Sequence, residues 1–541
     1  MAHIEGFRVF GSWKPESTIP GPLEFVEHIN NIRKPLYIIR DKKTGRIFSA
    51  INGQIDSIGN SEGPYGLIGI LPTIYPEWLG DRTFQEVHNV RFNYIAGAMY
   101  RGITSTRMVI AMAKAHMLAF FGAAGFSPAK VEKNIKEIAD ALIDEKLSFG
   151  SNLIYSPTEP ELEDAIVNIY LKYNVKKMSA SAFMKITPAI VKYACKGLRI
   201  DQRGYIIRRN YIFAKVSRPE MAKLFMSPPP KDIVNKLVAN GELTKEEASL
   251  AMQLPIAEDI TIEADSGGHT DNRPLVSLIP ATIVLRDRLM DQFKYKRRIR
   301  IGAAGGISTP MATAGAFAMG AAYVLSGTIN EASVEAGISD IAKQMLAQAN
   351  VADVTMAPAG DMFEMGVKVQ VLKRGTLFPG RASHLYNIYQ HYNSLEDIPE
   401  VEQSKLKNEI FKKDLNKVWE ETRSFFLDRN KKIVEKAEKD PKYKMALVFR
   451  WYLGLSGQWA IDGVKERVSD YQIQCGPSMG AFNEWVKGSY LEKLENRHVV
   501  DIALNMMEGA AVVTRAEQLR SFGVNVPNVA FNFRPKKIIM E

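Results

Sequence analysis

Between about residues 90 and 385, short apolar runs alternate with segments in which apolar residues recur every three or four positions. The short runs are typical of buried strands, and the spaced pattern is typical of helices packed on one face. Strands are predicted at Phe92–Ile95, Leu118–Phe121, Leu147–Asn152, Lys177–Ser179, Tyr211–Lys215, Asp259–Glu263, Ile299–Ala303 and Tyr323–Leu325. Eight strands alternating with helices favour an α/β fold, the (β/α)₈ TIM barrel, with a doubly wound open sheet as the alternative.

Capping residues mark where three of the intervening helices begin. They are Ser105 or Thr106, then Ser127 followed by Pro128, and Thr158. Hydroxyl side chains satisfy free amides at a helix start, and proline is favoured at the first helical position. These residues therefore predict helices between the strands.

The interval between the fifth and sixth predicted strands is too long for a single crossover helix. It holds a helical insertion at about 218–256, in which Thr244 and Glu247 form a capping box ahead of a short helix. We expect this insertion on the loop side of the barrel, where lids and substrate walls lie. An inert insertion is the alternative.

Two regions flank the barrel, which we assign to residues 89–385. Residues 1–88 carry short strand-like runs between dense turn signals and predict an N-terminal extension. Residues 386–541 show helical periodicity, and their aromatic residues fall at spacings typical of packing between helices. The uncharged stretch 301–330 is long enough to span a bilayer, but its glycine and proline breaks divide it into buried strand, loop, helix and strand. We therefore expect no contact with a membrane.

The charge distribution excludes a nucleic-acid-binding stripe. The formal net charge is +10 over 541 residues, and it is spread along the chain. The densest basic region, residues 405–445, has 13 Lys or Arg against 8 Asp or Glu. This region is either a solvated helix face or a surface for an acidic partner.

The two cysteines, Cys195 and Cys475, are too few for a disulfide framework or a zinc cluster, and no metal site is expected. Neither has an activating base nearby in the sequence. Together with an N-terminal stretch that lacks an apolar leader, this composition predicts a protein of the reducing cytoplasm.

The most distinctive loops follow the seventh and eighth predicted strands. After the seventh come Ala304, Gly305 and Gly306, ahead of a helix of small residues. After the eighth come Ser326, Gly327 and Thr328. In barrels these two loops often bind phosphate through backbone amides, and no dinucleotide fingerprint of the GxGxxG type follows a strand. A phosphate-tethered cofactor bound by a barrel suggests FMN.

Other strand ends supply further candidate cofactor contacts. Ala98 and Met99 end the first strand, where backbone atoms and a polarizable thioether can meet a flat ring. Asn152 can place an amide donor and an acceptor against the ring edge or the ribityl chain. Lys215 either contacts the cofactor or extends to the rim of the barrel, and both readings stay open.

The candidate catalytic residue is His269, which follows Gly267 and Gly268 at the end of the sixth strand. An imidazole exchanges a proton near neutral pH, and the strand end places it at the barrel mouth. We expect the two glycines to leave room for a ligand, with Gly268 in contact with the cofactor. The alternative is a surface histidine bonded to its own loop.

Five motifs appear in the order seen in a known family: "GAMYRG", "GSNLIYSP", "EADSGGHTDNRP", "GAAGGIST" and "VLSGT". Over residues 90–385 the chain resembles the FMN-dependent barrel family of nitronate monooxygenases and flavin enoyl-ACP reductases. The segments "KMALVFRWYLG", "DYQIQCGPSMGAFNEW" and "FGSWKPE" are similar to its PfaD branch, the trans-acting enoyl reductases of polyunsaturated fatty acid and polyketide synthases. Two departures are a long insertion and Ala98, where many relatives have glycine.

The resemblance implies that FMN is held through its phosphate by Gly305, Gly306, Gly327 and Thr328, and that His269 is catalytic. It implies reduction of 2-enoyl thioesters on an acyl carrier protein, with NADPH as reductant. Nitronate oxidation and a non-catalytic synthase component are the alternatives, and a homodimer is left open.

Overall fold

The computed structural model describes residues 9–16, 22–59, 62–143, 147–157, 159–427 and 429–539. The strands are β1 (Gly11–Lys14), β2 (Leu36–Asp41), β3 (Ile47–Ala50), β4 (Gln54–Ile58), β5 (Tyr65–Leu71), β6 (Tyr94–Ala96), β7 (Leu118–Phe121), β8 (Gly150–Ile154), β9 (Lys177–Ser181), β10 (Arg199–Ile200), β11 (Ile206–Ile207), β12 (Tyr211–Val216), β13 (Asp259–Glu263), β14 (Gly268–His269), β15 (Arg300–Ala304), β16 (Val324–Ser326), β17 (Val354–Pro358) and β18 (Lys368–Leu372).

The helices are α1 (Pro22–Asn30), α2 (Arg82–His88), α3 (Thr106–Lys114), α4 (Pro128–Leu142), α5 (Pro160–Lys172), α6 (Pro188–Cys195), α7 (Pro219–Phe225), α8 (Lys231–Ala239), α9 (Lys245–Ala251), α10 (Leu275–Phe293), α11 (Pro310–Ala318), α12 (Thr328–Glu331), α13 (Asp340–Ala347), α14 (Phe378–His391), α15 (Glu400–Lys405), α16 (Leu415–Leu427), α17 (Lys431–Lys439), α18 (Pro441–Asp462), α19 (Ser478–Val486) and α20 (Val499–Ser521). A π-helical turn, Leu406–Phe411, continues α15.

Parallel strands in the described part of the chain close into a barrel in the order β12-β13-β15-β16-β6-β7-β8-β9. Each of the eight predicted strands overlaps one of these, so the TIM-barrel prediction is confirmed. Ser105 caps α3, accepting from the amide of Met108, and Pro128 opens α4 as expected. Thr158 lies outside the described residues.

Before the barrel, β1 to β5 form an antiparallel sheet in the order β3-β2-β5-β1-β4. This sheet, with α1, is the structure of the described part of the N-terminal extension. The uncharged stretch 301–330 folds into β15, a loop, α11 and β16, as its breaks predicted, and it then enters the short helix α12. Among the described residues, no helix combines the length and the apolar character needed to cross a membrane.

The helical insertion is present, but its predicted place on the loop side is wrong. α7 packs on β12 and returns the chain to the amino ends of the strands, and α8 and α9 follow it there. The amide of Gly197, just after α6, donates to Glu247 of α9 at 2.7 Å, and Lys196 donates to the carbonyl of Glu242 at 2.9 Å. The extra helices therefore extend the base of the barrel and do not form a lid.

The eighth helix of the barrel comes from near the end of the described chain. α20 packs against α11, which precedes the eighth strand, and against α3, which follows the first. That is the position of an eighth barrel helix. Residues 332–498 therefore leave the barrel after α12 and return to it at α20.

The amino end of the barrel is closed by buried polar and aromatic groups. Arg300 donates to both carboxylate oxygens of Asp259, at 2.6 and 2.8 Å, and His88 of α2 lies 3.0 Å from the same carboxylate. Aromatic side chains fill the layer above: Phe84, Phe120, Phe213 and Tyr323. A ligand must therefore enter at the carboxyl ends of the strands, called the mouth below.

Candidate active site

The loop after β6 forms one wall of the mouth. Its backbone is fixed because the Thr104 hydroxyl donates to the carbonyl of Gly97 at 2.7 Å and accepts from the amide of Met99 at 2.9 Å. A β-carbon at Gly122 would lie 1.7 Å from the carbonyl oxygen of Met99, so only glycine allows this approach. Ala98 and Met99 are half-buried at the mouth, where the sequence predicted them.

Asn152 lies at the mouth, in β8, with its side chain orientation fixed. Its Oδ1 accepts from the amides of Ala123 and Ala124, at 2.8 and 3.3 Å. The acceptor that we expected to meet a ligand therefore holds the β7 loop instead. The two N–H groups of Nδ2 are the part of this side chain that remains for a ligand.

The loops after β15 and β16 lie side by side. The hydroxyl of Ser326 donates to the carbonyl of Ile307 at 2.7 Å, and the carbonyl of Ser326 accepts from the amide of Gly97 at 2.9 Å. These bonds tie the two predicted phosphate loops to each other and to the loop after β6. The cofactor residues proposed from the sequence are thus brought to one end of the barrel.

Both loops present free backbone donors to open space. Among the described residues, the amides of residues 305–309 and of Gly327 and Thr328 donate to no backbone or side-chain acceptor. A β-carbon at Gly306 or Gly327 would meet no atom within 4 Å. Gly305 differs, because a β-carbon there would lie 2.8 Å from the backbone of Ala264. Gly305 therefore permits close strand packing, while Gly306 and Gly327 border a cradle rich in N–H donors.

His269 lies at the mouth in β14, which pairs with β18 rather than with the barrel. Its Nε2 is 3.3 Å from Oδ1 of Asp361, a residue of the β17–β18 hairpin. The contact becomes an ion pair when the imidazole is protonated, and Nε2 has no aligned hydrogen-bond partner among the described residues. Burial lowers the pKa of His269, but Asp361 and Glu263 outweigh it and raise that pKa above its usual value.

Glycine is required at the two positions before His269 for a different reason from the one we expected. A β-carbon at Gly267 would lie 3.0 Å from the backbone of Cys475, and one at Gly268 would lie 2.7 Å from Oε1 of Gln474. The prediction that they clear space for a ligand is therefore wrong. They admit the segment 474–476, which pairs with β18 through Val371.

Lys215 of β12 has an acidic partner on the neighbouring strand, β13. Its Nζ lies 2.8 Å from Oε1 of Glu263, and both side chains are partly exposed at the mouth. The same two residues act on the pKa of His269 in opposite directions, Glu263 raising it and Lys215 lowering it. The pair therefore adjusts the charge around the histidine.

Sequence reasoning missed two carboxyl groups of this region. Asp361 was missed because it belongs to the β17–β18 hairpin, which is not part of the barrel. The rule that active-site residues follow the barrel strands therefore does not apply to it. Glu331, in α12 behind the phosphate loop, is 2 % exposed, and its Oε1 has no hydrogen-bond partner among the described residues. Burial raises the pKa of Glu331 to about 8. Its only sequence signal is its position as the first charged residue after the uncharged stretch 301–330.

Neither cysteine has the environment of a nucleophile. Burial raises the pKa of the Cys195 thiol to about 12 and that of the Cys475 thiol well above its usual value. Both thiols therefore stay protonated, as expected from the sequence.

Comparison with known proteins identifies the family. The profile of nitronate monooxygenase matches residues 82–417, which include all eight strands of the barrel. The chain belongs to the nitronate monooxygenase family. The family predicted from the sequence motifs is thus confirmed, and the chain is an oxidoreductase.

A solved structure is similar over most of the chain. The enoyl reductase domain of MlnA, from the macrolactin cluster of Bacillus amyloliquefaciens, is 41% identical with a TM-score of 0.78. The match covers 82% of this chain and 99% of that domain. This similarity supports the PfaD-like branch of the family.

Two curated relatives are named for polyunsaturated fatty acid synthase and for polyketide biosynthesis. A polyunsaturated fatty acid synthase subunit of Thraustochytrium is 39% identical over 96% of this chain and 35% of its own length. Polyketide biosynthesis protein PksE of Bacillus subtilis is 43% identical over 81% of this chain and 57% of its own length. The chain thus spans about a third to a little over half of these relatives.

A second profile matches part of residues 332–498, the segment that leaves the barrel between α12 and α20. The inserted helical domain of [acyl-carrier-protein] S-malonyltransferase matches residues 392–471. This range begins directly after α14 and ends three residues before residue 474, where the segment that contacts Gly267 and Gly268 begins. The profile therefore matches about the first half of the helical region predicted after residue 385.

The residues at the mouth fit the FMN that the family implies. A phosphate dianion needs several N–H donors, and the two loops offer amides without partners around an opening that no β-carbon fills. Burial raises the pKa of Glu331, in α12 behind the cradle, which favours its neutral form beside a bound anion. Asn152 keeps two donors toward the same end of the barrel.

Proposed function

We propose that the chain is an FMN-dependent enoyl reductase that acts in trans. Its substrates would be 2-enoyl thioesters on an acyl carrier protein during polyketide or polyunsaturated fatty acid synthesis, with NADPH as reductant. The similarity to the MlnA enoyl reductase domain and the synthase relatives supports this reading. So does the His269–Asp361 pair at the mouth.

The His269–Asp361 contact at the mouth is the observation that carries the proposal. Reduction of an enoyl thioester requires a proton at the α-carbon, and an imidazolium can supply it. Asp361 and Glu263 raise the pKa of His269 above its usual value, which shifts its titration toward the protonated ring. A base that removes a proton from a nitroalkane would need the neutral ring instead.

The other residues of the site position the reactants. The cradle of Gly306, Gly327 and Thr328 would bind the phosphate of FMN, and Met99 and Asn152 would lie toward the ring or ribityl chain. Bound FMN would supply the two-electron transfer between NADPH and the double bond. Asp361 faces Nε2, orients the imidazole and stabilises its charge. Nδ1 is then the ring nitrogen left to give a proton to the substrate.

An anaerobic assay tests the proposal. Purified protein with FMN and NADPH should oxidise NADPH when a crotonyl thioester is added in the absence of oxygen, and the saturated thioester should appear in equal amount. Failure of this reaction, with oxygen uptake on a nitronate, would refute the enoyl reductase. A protein that shows no flavin absorbance even after addition of FMN would instead support a non-catalytic synthase component.

Nitronate oxidation is the second candidate because the family profile that matches residues 82–417 bears that activity's name. In this case His269 would act as a base, and substrate oxidation would depend on oxygen. The pH dependence separates the two reactions. An acid at His269 gives activity that falls as pH rises through its pKa, while a base gives activity that falls as pH decreases.

A further inference from the structure

Arg101 holds an unusual backbone at the mouth. It has φ 49° and ψ 35°, in the left-handed region that non-glycine residues rarely adopt. Its amide donates to the carbonyl of Ala124 at 2.8 Å, and its side chain packs on Gly125. Such a conformation is retained only where the surroundings impose it, and it is concentrated at functional sites.

The guanidinium of Arg101 is only half satisfied. Its Nη1 donates to Oε1 of Gln458 at 3.1 Å and to the carbonyl of Gly454 at 3.3 Å, both in α18. Its Nε and Nη2 donate to no residue that the structure describes. The nearby carboxylate of Asp462 accepts from Gln458 at 2.8 Å instead. A half-buried cation without a counter-charge is costly, so an anionic partner would stabilise it.

A second cation contacts the same turn of the chain. Lys130 of α4 lies over the ring of Phe126, with Nζ 4.0 Å from the centroid, and Phe126 in turn contacts Gly102. No carboxylate of the described residues lies within ion-pair distance of Lys130 or Arg101. The two cations therefore flank one turn, residues 125–126, and neither forms an ion pair with a described carboxylate.

We infer that Arg101 and Lys130 form a binding site for a phosphate group carried by a reactant as it enters the mouth. The Cα of Arg101 is at most about 7 Å from that of Met99, so the site lies beside the proposed ring position and not within the cradle for the FMN phosphate. The cradle uses backbone amides, whereas this site presents a fixed fork of N–H donors and a mobile ammonium.

Two reactants of the proposed function carry such a phosphate, so the inference rests on that function. One is the phosphodiester of a carrier protein's pantetheine arm, and the other is the 2′-phosphate of NADPH. Both are dianionic or monoanionic oxyanions that a guanidinium binds well. Substrate pairs that differ in one phosphate tell them apart.

The experiment compares crotonyl-4′-phosphopantetheine with crotonyl-pantetheine, and NADPH with NADH, on the FMN-loaded protein. The variants are Arg101→Asn and Lys130→Ala, singly and together. Asparagine tolerates the left-handed backbone, so the first variant removes the charge with little strain. For the wild type, we expect the phosphorylated member of one of these two pairs to have a KM about tenfold lower than its phosphate-free counterpart. This difference is the phosphate advantage, and we expect it to disappear in the double variant.

Two controls separate phosphate binding from packing. Gln458→Leu removes the α18 partner of Arg101 but keeps both cations, so it should keep the phosphate advantage. Lys136→Ala removes a cation of α4 that lies further along the helix, and it should change neither pair. In both controls, kcat with the phosphate-free thioester should stay near the wild-type value.

Loss of the advantage in the thioester pair assigns the site to the carrier arm, and loss in the nucleotide pair assigns it to NADPH. The inference is overturned if the wild type shows no phosphate advantage in either pair, or if the double variant keeps it. Equal slowing of all substrates would also overturn it and leave Arg101 as an anchor for α18. Calorimetric binding of phosphopantetheine against pantetheine needs no turnover, so it tests the site even if the proposed reduction fails.

Discussion

The buried carboxyl of Glu331 gives a prediction whose size follows from its environment. In the unfolded chain a glutamate has a pKa of 4.5, and burial raises the pKa of Glu331 to about 8 in the folded chain. Below pH 4.5 both states hold the proton, and the group has no effect on stability. Between pH 4.5 and 8 only the folded chain holds it, so stability is lost as pH rises, by about 1.4 kcal/mol per pH unit.

Glu331→Gln removes this titration while keeping the shape of the side chain. The wild type should lose about 2.5 kcal/mol between pH 5 and pH 7 through this one group, and the variant should not. The unsatisfied amide of the glutamine adds a cost that is the same at every pH. The free energy of unfolding of the variant relative to the wild type should therefore rise by about 2.5 kcal/mol over this range.

Urea unfolding followed by circular dichroism measures the difference, with FMN at saturation throughout. The same exchange at Glu420, an exposed residue of α16, controls for the loss of one carboxyl from the chain. Parallel pH profiles for the wild type and Glu331→Gln would refute the reasoning. They would mean that Glu331 is hydrated or paired in solution and that the pocket behind the phosphate loop is not dry.

Further predictions concern the site itself. His269→Gln should retain FMN, measured by absorbance, and slow enoyl reduction 10²- to 10⁴-fold. Asp361→Asn should lower the pKa of His269 and move the alkaline limb of kcat/KM to lower pH, whereas Glu364→Gln, which loses an ion pair to Arg450, should not. Gly306→Val should weaken FMN binding about tenfold or more in a fluorescence titration, because the side chain enters the open cradle. Gly267→Ala should destabilise the chain by about 1–3 kcal/mol through its contact with the Cys475 backbone, and an unchanged urea midpoint would contradict this.

The barrel could be predicted because each strand and its loop carry local signals. Apolar runs such as Leu118–Phe121 and Asp259–Glu263 match strands of the structure, and the glycines after β15 and β16 mark loops that do lie together. Parallel strands in a barrel place all their carboxyl ends on one side, so the geometry of one end follows from the order of the elements. The chemistry that depends on this rule was therefore accessible from the sequence.

What the sequence did not reveal depends on contacts between distant segments. Asp361 reaches His269 only because the β17–β18 hairpin adds β14 to its edge, and nothing near either residue specifies that pairing. Gly267 and Gly268 looked like space for a ligand, because the close approach of residues 474–476 has no local signature. A glycine in a turn indicates that another part of the chain comes close to it, but it does not identify that part.

The position of α20 has a consequence for how the chain is made. The ribosome releases β16 and α12 well before the helix that completes the barrel wall, with about 170 residues between them. At 5–20 residues per second this interval lasts roughly 10 to 30 s, during which α3 and α11 expose the apolar faces that α20 will cover. The nascent barrel thus lacks one wall helix while residues 332–498 fold. In this period the exposed apolar faces of α3 and α11 would be the main binding site for a chaperone.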